Sequence, residues 1–138
     1  MHREYDDDAE LRRYVFRYFT HLFTELERLA TEASHAEMKA SSASSPMAEI
    51  LRNRWGHQNE PAVVAALSEG FDVFQDRVIA RIQHDEPDCL YINRCEKCDC
   101  IVSTPRACIC GWCGHSWFER REKQDSIADS FLKKGVGQ

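Results

Sequence analysis

Two short cysteine hooks constrain this chain more than any other feature of its sequence. Cys95-Glu96-Lys97-Cys98 and Cys110-Gly111-Trp112-Cys113 stand eleven residues apart. A tetrahedral Zn²⁺ takes four soft ligands, and thiolates hold it at about 2.3 Å. One hook offers two sulfurs on one side of the ion, and the other hook closes the opposite side. Cys95, Cys98, Cys110 and Cys113 are therefore the predicted ligands of one Zn²⁺. A shell filled by protein leaves no open position for an activated water, so the expected role of the metal is structural.

The competing reading of such hooks is redox chemistry. A redox Cys-x-x-Cys opens a helix within a βαβ pattern, and none is visible here. All seven cysteines fall between Cys89 and Cys113. A disulfide scaffold spreads its cysteines to link distant segments, so clustering argues for metal in a reducing compartment. Cys100 and Cys108 are neighbouring thiols that compete for ligand positions, and Cys89 reads as a small apolar side chain. His115, directly after the second hook, reads as a surface residue of the outgoing segment, with a ligand or sulfur-supporting role as the alternative.

Charge narrows the partners. Residues 1–90 carry 10 lysines and arginines against 17 carboxylates, whereas residues 91–123 carry 6 against 4. An acidic body disfavours non-specific binding to nucleic acid, in which basic charge supplies most of the affinity. A zinc held by four thiolates is itself doubly negative, so Arg94, Lys97 and Arg106 are expected to balance it. No apolar run reaches the roughly 18 residues of a membrane span. The N-terminus, MHREYDDDAE, lacks the apolar core of a signal peptide. The expected location is cytoplasmic.

Before the hooks the pattern is helical. Asp6, Asp7, Asp8 and Glu10 suit a helix N-terminus. Leu11, Tyr14, Val15, Tyr18, Phe19, Leu22, Phe23, Leu26, Leu29 and Ala30 then recur at steps of three and four, predicting one long amphipathic helix over about 8–38. Ser45-Pro46 predicts a second helix start, with Met47, Ile50, Leu51 and Trp55 inward and Gly56 ending it. A third helix is expected from Pro61, after Asn59-Glu60, to Glu69. A fourth is expected over 71–84, with Pro87 beyond its end. Four helices with short connections suggest a bundle. From Cys89 onward, residues 90–92, 100–104 and 115–119 read as three short strands. After Glu122 the chain reads as a frayed tail in which Ile127, Phe131 and Leu132 could make one and a half helical turns.

The hooks, the segment Tyr91-Ile92-Asn93-Arg94, Thr104-Pro105-Arg106-Ala107, and Gly114-His115-x-Trp117 together resemble small bacterial zinc-ribbon proteins of unassigned function, which combine an N-terminal helical region with a C-terminal four-cysteine ribbon. Cys113-Gly114 fits their pattern. Glu96 and Asp99 depart from it, where ribbons carry Pro and Gly. The resemblance implies a fold and a metal but no reaction. The expected class is α+β: a helical domain over 8–88, a small antiparallel zinc ribbon over 89–120, and a flexible tail over 121–138.

Other constellations point to ordinary structure. Glu32-Ala33-Ser34-His35 has di-iron spacing, but no second pair exists in the chain. His21, His57 and His84 have no nearby set. Trp112 reads as a packing residue, and Trp117 and Phe118 alternate along a strand, so one of the two is expected to face the helices. No phosphate loop, dinucleotide fingerprint or nucleophile–base set is present. The sequence thus predicts a non-enzymatic zinc protein that serves as a protein-interaction or regulatory module, with self-association open. The alternative is nucleic-acid binding by Arg94, Lys97, Arg106, Arg120, Arg121 and Lys123 with Trp112. A third reading is an enzyme that uses a spare thiol such as Cys108.

Overall fold

The computed structural model describes residues 4–55 and 60–132. Gly56, His57 and Asn59 lie outside them, and so does the side chain of Trp55. Six α-helices form among the described residues: α1 (Asp7–Tyr18), α2 (Glu25–Ser41), α3 (Ser45–Trp55), α4 (Pro61–Ala66), α5 (Phe71–Asp85) and α6 (Arg121–Leu132).

The expected single helix over 8–38 is two helices. Asp6 caps α1, its carboxylate accepting from the amides of Asp8 and Ala9. After Tyr18 the chain tightens into a 3₁₀ turn at Thr20–Leu22. Thr24 then starts α2 with a capping box. Its hydroxyl accepts from the Glu27 amide, and the Glu27 carboxylate accepts from the Thr24 amide. Reciprocal capping satisfies two orphan donors, which favours a new helix start over continuation.

The contacts divide the chain into two units, residues 23–80 and a second composed of residues 1–22 with 81–138. In the 23–80 unit, α2 presents Ala30, Ala33, Ala36 and Ala40 to the interior, and Ala48 of α3 is also buried. Small side chains at helical spacing let α2 and α3 pack closely. A paired Arg52–Glu37 contact, with both nitrogen–oxygen distances 2.9 Å, links the same two helices. Val63, Phe74, Val78 and Ile79 complete this core. Gly70, at φ +100°, makes the left-handed turn between α4 and α5.

The other unit holds both ends of the described chain. Tyr14 and Val15 of α1 and Phe19 at its C-cap are buried, as are Ile82, Val102, Pro105, Trp117 and Ala128. Residues 121–132 form α6 instead of a frayed tail. Gln124 is buried and donates to the Pro105 carbonyl at 2.7 Å and to the Tyr91 hydroxyl at 2.9 Å. Phe131 stacks on Tyr91, and Arg106 pairs with Asp129.

The expected antiparallel zinc ribbon does not form. No strand occurs among the described residues; the pairing is limited to two isolated antiparallel bridges, Arg94↔Ile101 and Ile109↔Ser116. Each bridge spans the base of one cysteine turn. Beyond it the backbone turns away, at Pro87–Cys89 and Phe118–Arg120 into 3₁₀ turns. Ladders this short hold two turns in place without building a sheet. The class is therefore helical, with a compact irregular cysteine module.

Candidate metal centre

The two hooks fold as similar tight turns. In the first, the Cys95 amide donates to the Cys100 carbonyl and the Asp99 amide returns to the Cys95 carbonyl, both at 2.9 Å. In the second, the Cys110 amide donates to the His115 carbonyl at 2.8 Å and the Gly114 amide to the Cys110 carbonyl at 2.9 Å. The residue after each second cysteine is left-handed: Asp99 at φ +63° and Gly114 at φ +82°. This geometry aims amides at sulfur. Lys97 N–H donates to Cys95 Sγ at 3.3 Å, Trp112 N–H to Cys110 Sγ at 3.4 Å, and His115 N–H to Cys113 Sγ at 3.5 Å.

All four predicted ligands meet. The sulfurs of Cys95, Cys98, Cys110 and Cys113 lie within 4.8 Å of one another. Two pairs, Cys95–Cys113 and Cys98–Cys110, are 3.6 Å apart, each joining one hook to the other. A disulfide would need about 2.05 Å. Four thiolates at about 2.3 Å around one ion give tetrahedral edges of about 3.8 Å, close to what is seen. The donor set therefore fits a single Zn²⁺. Cys95 and Cys110 are buried, whereas Cys98 and Cys113 are exposed, so the site sits at the edge of the module.

Crowding sets the electrostatics. Burial disfavours charge on Cys95, but the amides of Cys98 and Lys97 and the thiols beside it outweigh that and bring the group down to about 7. The Cys100 amide favours a thiolate on Cys98, yet burial and the thiols of Cys100 and Cys110 push it up to about 11. The His115 amide favours a thiolate on Cys113, while burial and the other three sulfurs push it up to about 11 as well. Thiolates packed this closely oppose one another's charge. A divalent cation removes that opposition, which is the electrostatic case for metal here.

The remaining candidates are not among the four clustered sulfurs, although the Cys100 thiol neighbours Cys98 and the His115 amide donates to Cys113. Cys108 is 2% exposed and donates to the Arg106 carbonyl. Cys89 and Cys100 are half-buried. His115 turns its ring to Glu96, with Nε2 2.9 Å from the carboxylate, and against Trp117. Glu96 also accepts from Arg120 at 2.7 Å, and these two partners hold its carboxyl below the usual range. His35 packs on Phe71 rather than meeting a metal partner. His84 is exposed beside Asp85, and His21 lies against Phe19. Trp117 is buried and Phe118 is exposed. Of the basic set weighed for nucleic acid, Arg94 pairs with Asp7, Arg106 with Asp129 and Asp125, and Arg120 with Glu96.

Three supporting residues escaped the sequence reading. Asn93 is 2% exposed, and its Nδ2 donates to the carbonyls of Thr104 at 2.9 Å and Ala107 at 3.1 Å, fixing the link between the hooks. Tyr14 donates to the Tyr91 carbonyl at 2.8 Å and accepts from the Asn93 amide at 3.2 Å. Burial, the largest influence, raises the Tyr14 hydroxyl well above the usual tyrosine range. Tyr5 accepts from the Ile101 amide and meets Trp112 edge-on at 5.0 Å. Tyr14 stands in the sequence only as one residue of a helical stripe and Asn93 only within the Tyr91–Arg94 segment, and no spacing signals the hydrogen bonds that either of them or Tyr5 makes.

No helix among the described residues is long and apolar enough to cross a membrane. No family model, curated protein or solved structure matches the chain, so the likeness to zinc-ribbon proteins reaches no further than four clustered cysteines in a pair of hooks.

Proposed function

We propose that this is a non-enzymatic protein in which one structural Zn²⁺, held by Cys95, Cys98, Cys110 and Cys113, fastens the cysteine module, and that the whole serves protein interaction or regulation in the cytoplasm. The observation that carries the reading is the four-sulfur cluster itself. Four protein ligands leave no position for a reacting water. The burial of Cys108 speaks against the spare-thiol enzyme. Exposed Met47 and Ile50 on α3, with Met38 on α2, support an interaction role, because exposed large apolar groups on helices favour contact with other proteins. The pairing of Arg94, Arg106 and Arg120 with carboxylates lowers the charge available to nucleic acid and weakens that alternative.

X-ray absorption at the zinc edge tests the site on protein expressed with its native metal. The expected result is one zinc per chain, with four sulfurs near 2.3 Å and no nitrogen or oxygen neighbour. An oxygen ligand would mark an open site and overturn the structural role. Pull-down from native cytosol, comparing the zinc-loaded protein with a Met47→Asp/Ile50→Asp variant, tests the interaction. A defined partner lost by the variant is expected; identical recovery would place the contact elsewhere.

A further inference from the structure

The two cysteine turns are alike in backbone and unlike in sequence. Both need a left-handed residue after the second cysteine. The second turn has Gly114, which adopts that conformation without strain. The first has Asp99, whose Cβ makes the same conformation costly, although Asp tolerates it better than most residues. Among the described residues, the first turn has a further bond with no counterpart at the second. Arg94 Nη1 donates to the Asp99 carbonyl at 2.9 Å, bonding the left-handed residue itself. That guanidinium is fixed in turn by Asp7, through Nη1 to Oδ1 at 2.9 Å and Nη2 to Oδ2 at 3.2 Å. Asp7 also accepts from the Tyr5 hydroxyl at 2.5 Å, and the same hydroxyl accepts from the Ile101 amide at 2.9 Å. Ile101 is the residue bridged to Arg94 across the base of the turn. The Tyr5 ring packs on Trp112 of the other hook.

We propose that the segment Tyr5–Asp7 is a positioning element for the metal site: through Arg94 it holds the first cysteine turn in the left-handed shape that its missing glycine does not supply. The inference rests on the zinc reading above. These residues touch no ligand sulfur; they act by fixing the backbone that aims Cys95 and Cys98. Because the bond to Asp99 uses its main-chain oxygen, Asp99→Gly keeps the bond and removes the strain. That substitution should make the support from Asp7 unnecessary.

The test is the rate at which zinc passes from the loaded protein to a chromogenic chelator. Asp7→Asn should release zinc about three- to tenfold faster than the unmodified chain, the range for losing a half-exposed paired carboxylate. Asp8→Asn removes a charge from the same first helical turn without touching Arg94, and its rate should stay within about twofold. In an Asp99→Gly background the effect of Asp7→Asn should shrink to about twofold or less, the coupling expected of residues in one network. Should Asp7→Asn prevent folding, Tyr5→Phe gives the same comparison with the carboxylate intact. Release at the unmodified rate, or a full Asp7→Asn effect retained with Gly at position 99, would overturn the proposal while leaving the zinc site standing. Failure of the unmodified chain to take up zinc would instead overturn the metal reading and this inference with it.

Discussion

Replacing Asn93 with Leu keeps its branched heavy-atom skeleton and deletes its donors. Its amide group bonds the Thr104 and Ala107 carbonyls at 2.9 and 3.1 Å, with a weaker contact to Pro105 at 3.4 Å. Asn93 is 2% exposed, while Thr104 and Ala107, whose carbonyls it bonds, are half-buried. Each buried carbonyl left without a donor costs about 1–3 kcal/mol. The Pro105 carbonyl keeps its bond from Gln124, and the Thr104 carbonyl keeps a long one from the Ala107 amide. The loss thus falls mainly on Ala107 and in part on Thr104, and because both are half-buried the total is about 1–3 kcal/mol. Against a domain stability of about 5–15 kcal/mol, this is a large loss. Urea unfolding of zinc-saturated protein, followed by tryptophan fluorescence, reads it out. At a denaturant slope of about 2 kcal/mol/M the midpoint should fall by about 0.5–1.5 M. A loss under about 1 kcal/mol would refute the claim that Asn93 spaces the two hooks.

Three further outcomes follow from the same structure. Thr24→Ala removes the hydroxyl half of the α2 capping box and should cost about 1 kcal/mol in urea unfolding. Gly114→Ala meets no atom within 4 Å of the new Cβ, so its cost should be purely conformational at φ +82°, about 1–2 kcal/mol, read in the same assay. Arg52 holds the Glu37 carboxyl below its usual range. A depressed folded-state value means the pair stabilises above the ordinary carboxylate range and loses that contribution as pH falls through the folded value. Glu37→Gln should therefore lower the midpoint at pH 7 and leave it unchanged in acid; an equal drop at both would refute the pairing.

How much was legible depended on whether a residue carried a spacing. The four sulfurs were, because Cys-x-x-Cys is a local geometry that needs little from the rest of the chain. The starts of α3 and α4 were, through Ser45-Pro46 and Pro61, since proline fixes a helix start locally. The break between α1 and α2 was written as Thr24-x-x-Glu27, but the apolar stripe runs through it unbroken and hid it. Leu26, within that stripe, is 40% exposed. The strands failed for a different reason. Short apolar runs form strands only if a partner lies alongside, and here 100–104 and 115–119 each have one bridged residue, Ile101 and Ser116, while 90–92 has none. Arg94 reads as a positive charge near a metal; that Asp7 neutralises it depends on a contact 87 residues away, which no local pattern encodes.

The unit that contains the cysteines is built from both flanks of the described chain, with residues 23–80 lying between them in sequence. Its bonds join partners far apart: Tyr14 to Tyr91 across 77 positions, Tyr5 to Ile101 across 96. During synthesis, Tyr5, Asp7 and Tyr14 leave the ribosome long before anything they bind exists. At the usual pace of translation, about 5–20 residues per second, that wait is on the order of 5–20 s. The helices within 23–80 have their contacts to hand, so they are free to form early, and assembly of the four-sulfur cluster with Tyr5, Asp7 and Tyr14 becomes a later event that joins segments made far apart in time.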